Sequence, residues 1–309
     1  MALLITGGAG FIGRRLIQTA LKERRKIVIS HREANPFRSG PSVRFVRCDL
    51  RNFKDVQALF RRHAIDAVVH LAGAGITRAD KEEIWATNVG GTFHLLQAAA
   101  ERGVERFIHI GSYWELLGRV TPAKDDDGAD WRRAYVTSKI CQSALVRDFE
   151  KERKLPTLIL RLFSVYGPGE SPGRLFPSIV GAALRGESVD LSPGRRKRDY
   201  VFVDDVAGAI ERAVAIPRFP RGRTLDIAGG QALSVREIVR VLRRRPYTVE
   251  GFDPRFGRRP YDPMDVPSLC GSPEAAGRLL RWKCGVDMAE GLDILSRSLT
   301  DEGCVSSRT

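Results

Sequence analysis

Short apolar runs alternate with longer amphipathic ones through the first half of the chain. "ALLIT" (2–6), "KIVIS" (26–30), "VRFVRCDL" (43–50), "DAVVHLAG" (66–73), "RFIHIGS" (106–112) and "TLILRLFSVYG" (157–167) read as strands buried on both faces. Between them, "FIGRRLIQTALKER", "FKDVQALFRRH", "NVGGTFHLLQAAAERG" and "YVTSKICQSALVRDFEKER" carry apolar residues at helical spacing. This alternation predicts an α/β fold, a doubly wound parallel sheet with right-handed crossovers and helices on both faces. After Gly167 the pattern loosens. "GPGESPGRLFPS", "SPGRRKRD" and "RRRPYTVEGFDPRFGRRPYDPMDVPS" are rich in glycine, proline and arginine. They predict a smaller C-terminal lobe of residues 164–200 and 229–300 beside a main domain of residues 1–163. "RDYVFVDDVAGAIERAV" leads a return to the main sheet over 201–228, and 301–309 reads as a disordered tail.

Composition narrows the class. The 309 residues are 43% hydrophobic and 28% charged, as expected of a soluble globular protein. No run is long enough for a membrane span, and Leu3–Ile5 is too short for the apolar core of a secretion signal. The five cysteines show no CxxC spacing, which fits reduced thiols in the cytoplasm rather than disulfides or a zinc site, so no metal is expected. The net charge of +14 comes mainly from scattered arginines, with small clusters at 195–198 and 243–245 and no interleaved aromatics. That pattern argues against a nucleic-acid partner and for anionic small molecules.

"TGGAGFIG", Thr6 to Gly13, joins the first strand to the first helix. Glycines at 7, 10 and 13 let the backbone turn tightly, approach a pyrophosphate and pack the helix on the sheet. The helix start at Phe11 and Ile12 offers N–H groups and positive dipole to the anion. The turn predicts a dinucleotide site in a Rossmann sheet. An acidic residue at the end of the second strand commonly holds the ribose of NAD. Here Ser30, His31 and Arg32 stand there instead. A cation suits the 2′-phosphate of NADP. NADP is therefore the expected cofactor and NAD the alternative, with Arg32 in contact, Ser30 or His31 helping and Arg38 in reserve. The plainer reading of Arg32 is an exposed loop arginine.

"YVTSK" sets Tyr135 and Lys139 four residues apart, on one face of a helix. An ammonium near a phenol favours the phenolate, and such a tyrosine moves a proton to or from a carbonyl or alcohol oxygen. Ser112, at the end of "RFIHIGS", can give that oxygen a second hydrogen bond.

With these residues in place, the chain resembles the extended short-chain dehydrogenases/reductases of the NAD-dependent epimerase/dehydratase type, which modify nucleotide sugars. The resemblance spans nearly the whole chain. It includes "TGGAGFIG", "CDLRN" with Asp49 and Leu50, "VVHLAG" with Leu71, Ala72 and Gly73, and "NVGGT" with Asn88. It continues through "YVTSK", "RLFSVYGPGE", "RDYVFVDDVAGAI" and "GRRPYDP". It implies Ser112, Tyr135 and Lys139 as the catalytic set, with Leu71, Ala72, Gly73 and Asn88 at the cofactor. Asp49 and Leu50 would face adenine, and Phe163 would lie near the nicotinamide. Arg198 and Arg259 would grip the phosphates of a nucleotide sugar. Arg174, Leu175 and Phe176 would line the nucleotide pocket, and Ser164 would stand near the sugar. The alternative for Arg198 is a salt bridge to Asp204 or Asp205. A two-fold homodimer through the helices "NVGGTFHLLQAAAERG" and "YVTSKICQSALVRDFEKER" is also implied, with Leu96 and Leu145 on their outer faces.

Three departures bear on the reaction. Ser164 replaces the asparagine expected before "VYG", and the second strand lacks its acid. "GSYWELLG" lacks the Thr-Asp-Glu of sugar dehydratases, so an elimination has no acid–base pair; Glu115 falls one residue late. Trp114 stands where the fucose-type epimerase-reductases carry cysteine, which argues against a double epimerisation. Hydride transfer remains. The reading is an NADPH-dependent reduction of a 4-keto-6-deoxy nucleotide sugar. The alternatives are a nucleotide-sugar 4-epimerase with tightly bound NAD, and a non-catalytic NADP-binding regulator, against which the intact Ser112, Tyr135 and Lys139 argue.

Overall fold

The computed structural model describes residues 2–22, 25–32, 40, 42–75, 80–120, 130–262 and 264–306. Contacts divide the chain into two compact units. One comprises Met1–Leu162, Ala207–Asp226 and Glu274–Trp282, the other Phe163–Val206, Ile227–Pro273 and Lys283–Thr309.

The first unit is built on a seven-stranded sheet in the order β10-β6-β5-β4-β1-β2-β3. Its strands are β1 (Ala2–Thr6), β2 (Lys26–His31), β3 (Val43–Arg47), β4 (Ala67–His70), β5 (Arg106–Ser112), β6 (Thr157–Leu162) and β10 (Arg223–Ile227). Neighbours from β3 through β6 pair in parallel. The crossovers carry α1 (Phe11–Lys22), α2 (Phe53–Arg62), α3 (Lys81–Ile84), α4 (Gly91–Glu101), α5 (Trp114–Val120) and α6 (Asp130–Glu152). A π-helical stretch, Trp85–Gly90, joins α3 to α4. Leu3, Leu4, Ile5, Val68 and Val69 are fully buried, which is the continuous apolar content of parallel strands covered on both faces. Because β2 and β4 lie on opposite sides of β1, strand order reverses there, and the carboxyl ends of β1 and β4 form the switch point. Asn52 starts α2 by accepting from the Lys54 N–H (3.0 Å), and Gly103, at φ +64°, follows the end of α4.

Leu96 does not lie on an outer face, and that expectation is corrected. Helix α4 packs against both α2 and α6, so Leu95, Leu96, Ala98 and Ala99 are all buried. Leu145 is partly buried against the same core. Among the described residues of this region, the exposed large apolar side chains are Trp85 and Phe93.

The second unit holds a four-stranded sheet of β7 (Ser164–Tyr166), β9 (Lys197–Phe202), β11 (Ala232–Ser234) and β13 (Ser268–Leu269). A pair formed by β8 (Ser188–Leu191) and β12 (Asp253–Phe256) accompanies it. Its helices are α7 (Leu175–Arg185), α9 (Val235–Leu242) and α11 (Met288–Ser306), while α8 (Val203–Ala215) passes into the first unit, which also holds α10 (Glu274–Leu280). "TLILRLFSVYG" is two strands rather than one. After Leu162 the Phe163 N–H donates to the Ile227 carbonyl (3.2 Å), and β7 then pairs with β9. Strand β9 therefore belongs to the smaller sheet, and β10 supplies the seventh strand of the large one. Helix α11 runs to Ser306, inside the stretch expected to be a tail; 307–309 lie outside the described residues. Among the described residues no helix is long and apolar enough to cross a membrane.

Two buried histidines couple this fold to pH. His70 and His109 pair across β4 and β5 with ring centroids 5.5 Å apart. His70 is bonded at both nitrogens, to the Thr6 hydroxyl (2.7 Å) and the Thr92 hydroxyl (2.8 Å). Neither nitrogen of His109 has a hydrogen-bond partner among the described residues. Burial, helped by the Lys139 charge, takes His70 down to about 3 and His109 well below the ordinary range. The unfolded chain takes up these protons near pH 6.5 and the folded chain does not. Their contribution is thus complete above pH 6.5 and is lost as pH falls toward 3. Ordinary carboxylates titrate little between pH 6.5 and about 5, and Glu170, raised to about 7 by burial, opposes only one of the two histidines. The urea midpoint is expected to fall across that window, and His109→Leu should flatten the fall. An unchanged slope in the variant would place the proton uptake elsewhere.

Candidate active site

The glycine turn is forced by close packing at the switch point. Gly7 has φ +71°, and a Cβ there would stand 2.7 Å from the Ala72 nitrogen. A Cβ on Gly13 would fall 2.5 Å from the Gly7 carbonyl oxygen, so α1 could not seat on β1. The Gly10 N–H donates to that same carbonyl (3.0 Å), which closes the turn. Thr6 locks it from below, since its hydroxyl accepts from the Ala72 N–H (3.2 Å). Phe11 and Ile12 open α1, and no acidic residue lies in its first turn to compete for its N–H groups. This backbone fits a dinucleotide pyrophosphate, which Gly7, Gly10, Phe11, Ile12 and Gly13 would hold.

At the ends of β2 and β3 lies an open depression of about 750 Å3. Arg32, Arg47, Arg51 and Arg62 line it together with Asp49 and Asp55. Arg32 is paired with Glu83 of α3 at 2.5 Å and remains 44% exposed. Arg51 chelates Asp49 (2.6 Å), and this bond, with a smaller contribution from Arg32, holds the Asp49 carboxyl below its usual range. Leu50 is buried in the core instead, against Gly91. Ser30 is buried and His31 half-buried. Arg38 lies outside the described residues.

Beyond β4, Leu71 and Ala72 bond back to Thr6, and Gly73 leaves room for Asn88 and Lys139. Asn88 sits in the π-helical stretch, where its amide accepts from the Ala74 N–H (2.7 Å) and donates to the Ser138 hydroxyl (2.9 Å). Ser138 in turn donates to the Tyr135 carbonyl (2.7 Å), which fixes the start of the YxxxK turn. Lys139 is buried, and its ammonium donates to the Ile110 carbonyl (3.3 Å), two residues before Ser112. Burial lowers Lys139 to about 8, opposed by the negative charge of Glu115. The Ser112 hydroxyl accepts from the Trp114 N–H (3.3 Å), leaving its proton free for an incoming oxygen. Tyr135 is half-buried. The structure thus ties α6 to the carboxyl end of β5.

The residues assigned to the sugar nucleotide lie on the second unit. Phe163 is buried against Gly271, and Ser164 begins β7 opposite Tyr200. Arg174 precedes α7, largely exposed and 3.4 Å from Glu170. Leu175 is half-buried, whereas Phe176 is buried and stacked on Tyr166 at 4.2 Å, so its ring serves the core of this unit. Arg198 is buried, ion-paired to Asp265 rather than to Asp204 or Asp205, and bonded to the Val266 carbonyl (2.8 Å). Arg259 is exposed. Sequence reading did not single out Glu83, Ser138, Ser143 or Asp265. Ser143 follows Lys139 by one helical turn, a spacing that could have revealed it; Asp265 carries no local signal.

The sequence profile of the NAD dependent epimerase/dehydratase family matches residues 3–228. A UDP-glucuronate 4-epimerase of Thermodesulfobacterium geofontis is 24% identical over 94% of this chain and 93% of its own. A dTDP-4-dehydro-6-deoxy-D-allose reductase of Streptomyces bikiniensis is 27% identical over 86% of both chains. The solved structure of MoeE5 in complex with UDP-glucuronic acid and NAD superposes with a TM-score of 0.81 at 27% identity, covering 98% of this chain and 100% of that one. The matched span contains the glycine turn, Ser112 and the Tyr135–Lys139 helix, and on that ground the chain belongs to the NAD-dependent epimerase/dehydratase family.

Proposed function

We propose that this protein is a cytoplasmic, homodimeric ketoreductase that uses NADPH to reduce the C4 carbonyl of a 4-keto-6-deoxy nucleotide sugar. The observation that carries the reading is the cluster of arginines around the ends of β2 and β3, where a carboxylate would serve NAD. NADP suits net reduction with cofactor exchange, whereas a 4-epimerase keeps its NAD through the cycle. Elimination is disfavoured because both oxygens of Glu115 are engaged, by the Ser112 N–H and the Ser143 hydroxyl.

NADPH, once held by the glycine turn, would supply the hydride. Tyr135 gives its proton to the C4 oxygen, Lys139 holds a positive charge near the phenol and the ribose, and Ser112 donates a second hydrogen bond to the same oxygen. Arg198 is committed to Asp265, so the exposed Arg259 is the better candidate to grip the diphosphate. The reductase among the relatives, whose name specifies a 4-dehydro-6-deoxy sugar, is consistent with this substrate class. The second reading is a 4-epimerase with retained NAD. The Arg32–Glu83 pair favours it, because another element then sets a carboxylate at the end of β2.

Three outcomes are expected. With a panel of 4-keto-6-deoxy nucleotide sugars, purified protein should oxidise NADPH, and Tyr135→Phe should lower turnover about 10²–10⁴-fold with NADPH binding little changed. A Tyr135→Phe enzyme of near-normal rate sinks the assignment. In cofactor titrations NADPH should bind more tightly than NADH, and Arg32→Asp should weaken NADPH roughly ten- to hundredfold while Glu83→Gln strengthens it. NADH binding as well as NADPH in the wild type would hand the site to the epimerase. Light scattering should give a dimer mass, with Phe93→Glu shifting it to monomer, because Phe93 is exposed on α4 above Phe149 of α6. A monomeric wild type at micromolar concentration contradicts the dimer.

A further inference from the structure

Glu115 is a charged side chain that the sequence left without a role, and the structure buries it to 5% exposure. It lies in the first turn of α5 and reaches back to the Ser112 backbone. The Ser112 hydroxyl accepts from the Trp114 N–H (3.3 Å), and Glu115 Oε1 accepts from the Ser112 N–H (2.8 Å). That much is a helix cap. Two further facts go beyond a cap. Glu115 Oε2 accepts from the buried Ser143 hydroxyl (2.9 Å), which stands one helical turn past Lys139 on α6. And the carboxylate presses on the strand itself, since a Cβ on Gly111 would lie 2.5 Å from Oε1. Glycine at 111 is the residue that lets this carboxylate turn back under β5.

We infer that Glu115 is a positioning residue, the buried counter-charge of Lys139, and that the same carboxylate fixes Ser112 by its backbone. The inference rests on the reading of Ser112, Tyr135 and Lys139 as the catalytic set. The groups facing Lys139 are His70 from β4, His109 from β5 and Glu115 from α5, with Tyr135 on its own helix and Arg147 farther along α6 acting on His109. The two histidines are held neutral by burial and carry no negative charge in either state, so neither can balance the ammonium. Glu115 can, and its charge acts to raise the Lys139 pKa against burial. A buried ammonium stripped of its partner loses its proton or destabilises the fold. Glu115 thereby keeps Lys139 charged at the pH where Tyr135 must work. It touches no reacting atom; both its oxygens are spent on Ser112 and Ser143.

A thermodynamic cycle of NADPH binding against pH tests this without any sugar substrate. NADPH affinity would be titrated from pH 6 to 9.5 in the wild type, Glu115→Gln, Lys139→Met and the double variant. The wild type should weaken as pH rises through the Lys139 pKa. Glu115→Gln keeps the shape and an acceptor for the Ser112 N–H, yet should move that weakening about one pH unit lower, roughly tenfold in affinity at the alkaline end. Lys139→Met should be flat with pH, and Glu115→Gln should add nothing to it. Glu115→Asp, which keeps the charge, should restore most of the wild-type profile. In melting experiments the double variant should outlast Glu115→Gln alone, because it leaves no unpaired buried ammonium; this comparison holds even if the single variant folds poorly. A Glu115→Gln profile that coincides with the wild type overturns the inference, as does an equal loss in the Lys139→Met background, which would make Glu115 a cap alone. The ketoreductase reading fails separately, in the substrate panel, whatever these titrations show.

Discussion

A positive charge held out of water at the carboxyl end of β5 governs the candidate site. The Lys139 ammonium is buried, bonded to the Ile110 carbonyl and flanked by two histidines that burial keeps neutral. Such a charge is tolerated only with compensating partners. Several local features follow from it. Gly73 and Gly111 lack side chains where the lysine and Glu115 need space. Asn88 and Ser138 knit the π-helical stretch to the start of the YxxxK turn, and Ser143 anchors the counter-charge. On the proposed reading, the reward would be a phenol and a serine hydroxyl served by a fixed cation, the arrangement that proton transfer to a developing alkoxide requires.

The large sheet was legible because parallel strands buried on both faces must be apolar throughout, and "ALLIT", "KIVIS" and "RFIHIGS" are. The glycine turn was legible because steric exclusion at Gly7 and Gly13 leaves no other residue type. YxxxK was legible because helical spacing alone puts its two members on one face. What stayed hidden depends on pairings distant in sequence. Nothing in "TLILRLFSVYG" marks the change of sheet at Phe163, which is set by the Ile227 carbonyl. Leu96 reads as a flank residue until α2 and α6 are seen to cover both sides of α4. The partners of Arg32 and Arg198, Glu83 and Asp265, lie about fifty and seventy residues away, and no local pattern announces them.

Those ion pairs shape how the cofactor and the substrate would be chosen. Arg32 is exposed and its bond to Glu83 is a surface pair, weak enough for a 2′-phosphate to displace. On the proposed reading, choice between NADP and NAD would be a contest between two anions for one guanidinium rather than the presence or absence of a single residue. Arg198 is the opposite case. It is buried and bonded to Asp265 and Val266, so a phosphate would be left to residues nearer the surface.

The claim at the centre of this account is that hydride passes from an exchangeable cofactor to the sugar and stays there. Isotope tracing tests it most directly. Purified protein would be given NADPH carrying deuterium at both nicotinamide C4 positions together with a 4-keto-6-deoxy nucleotide sugar. The account predicts one deuterium at C4 of each product sugar, with an equal amount of NADP released. An unreduced ketone with the added cofactor unspent, while the matching 4-hydroxy nucleotide sugars interconvert without label, would contradict it.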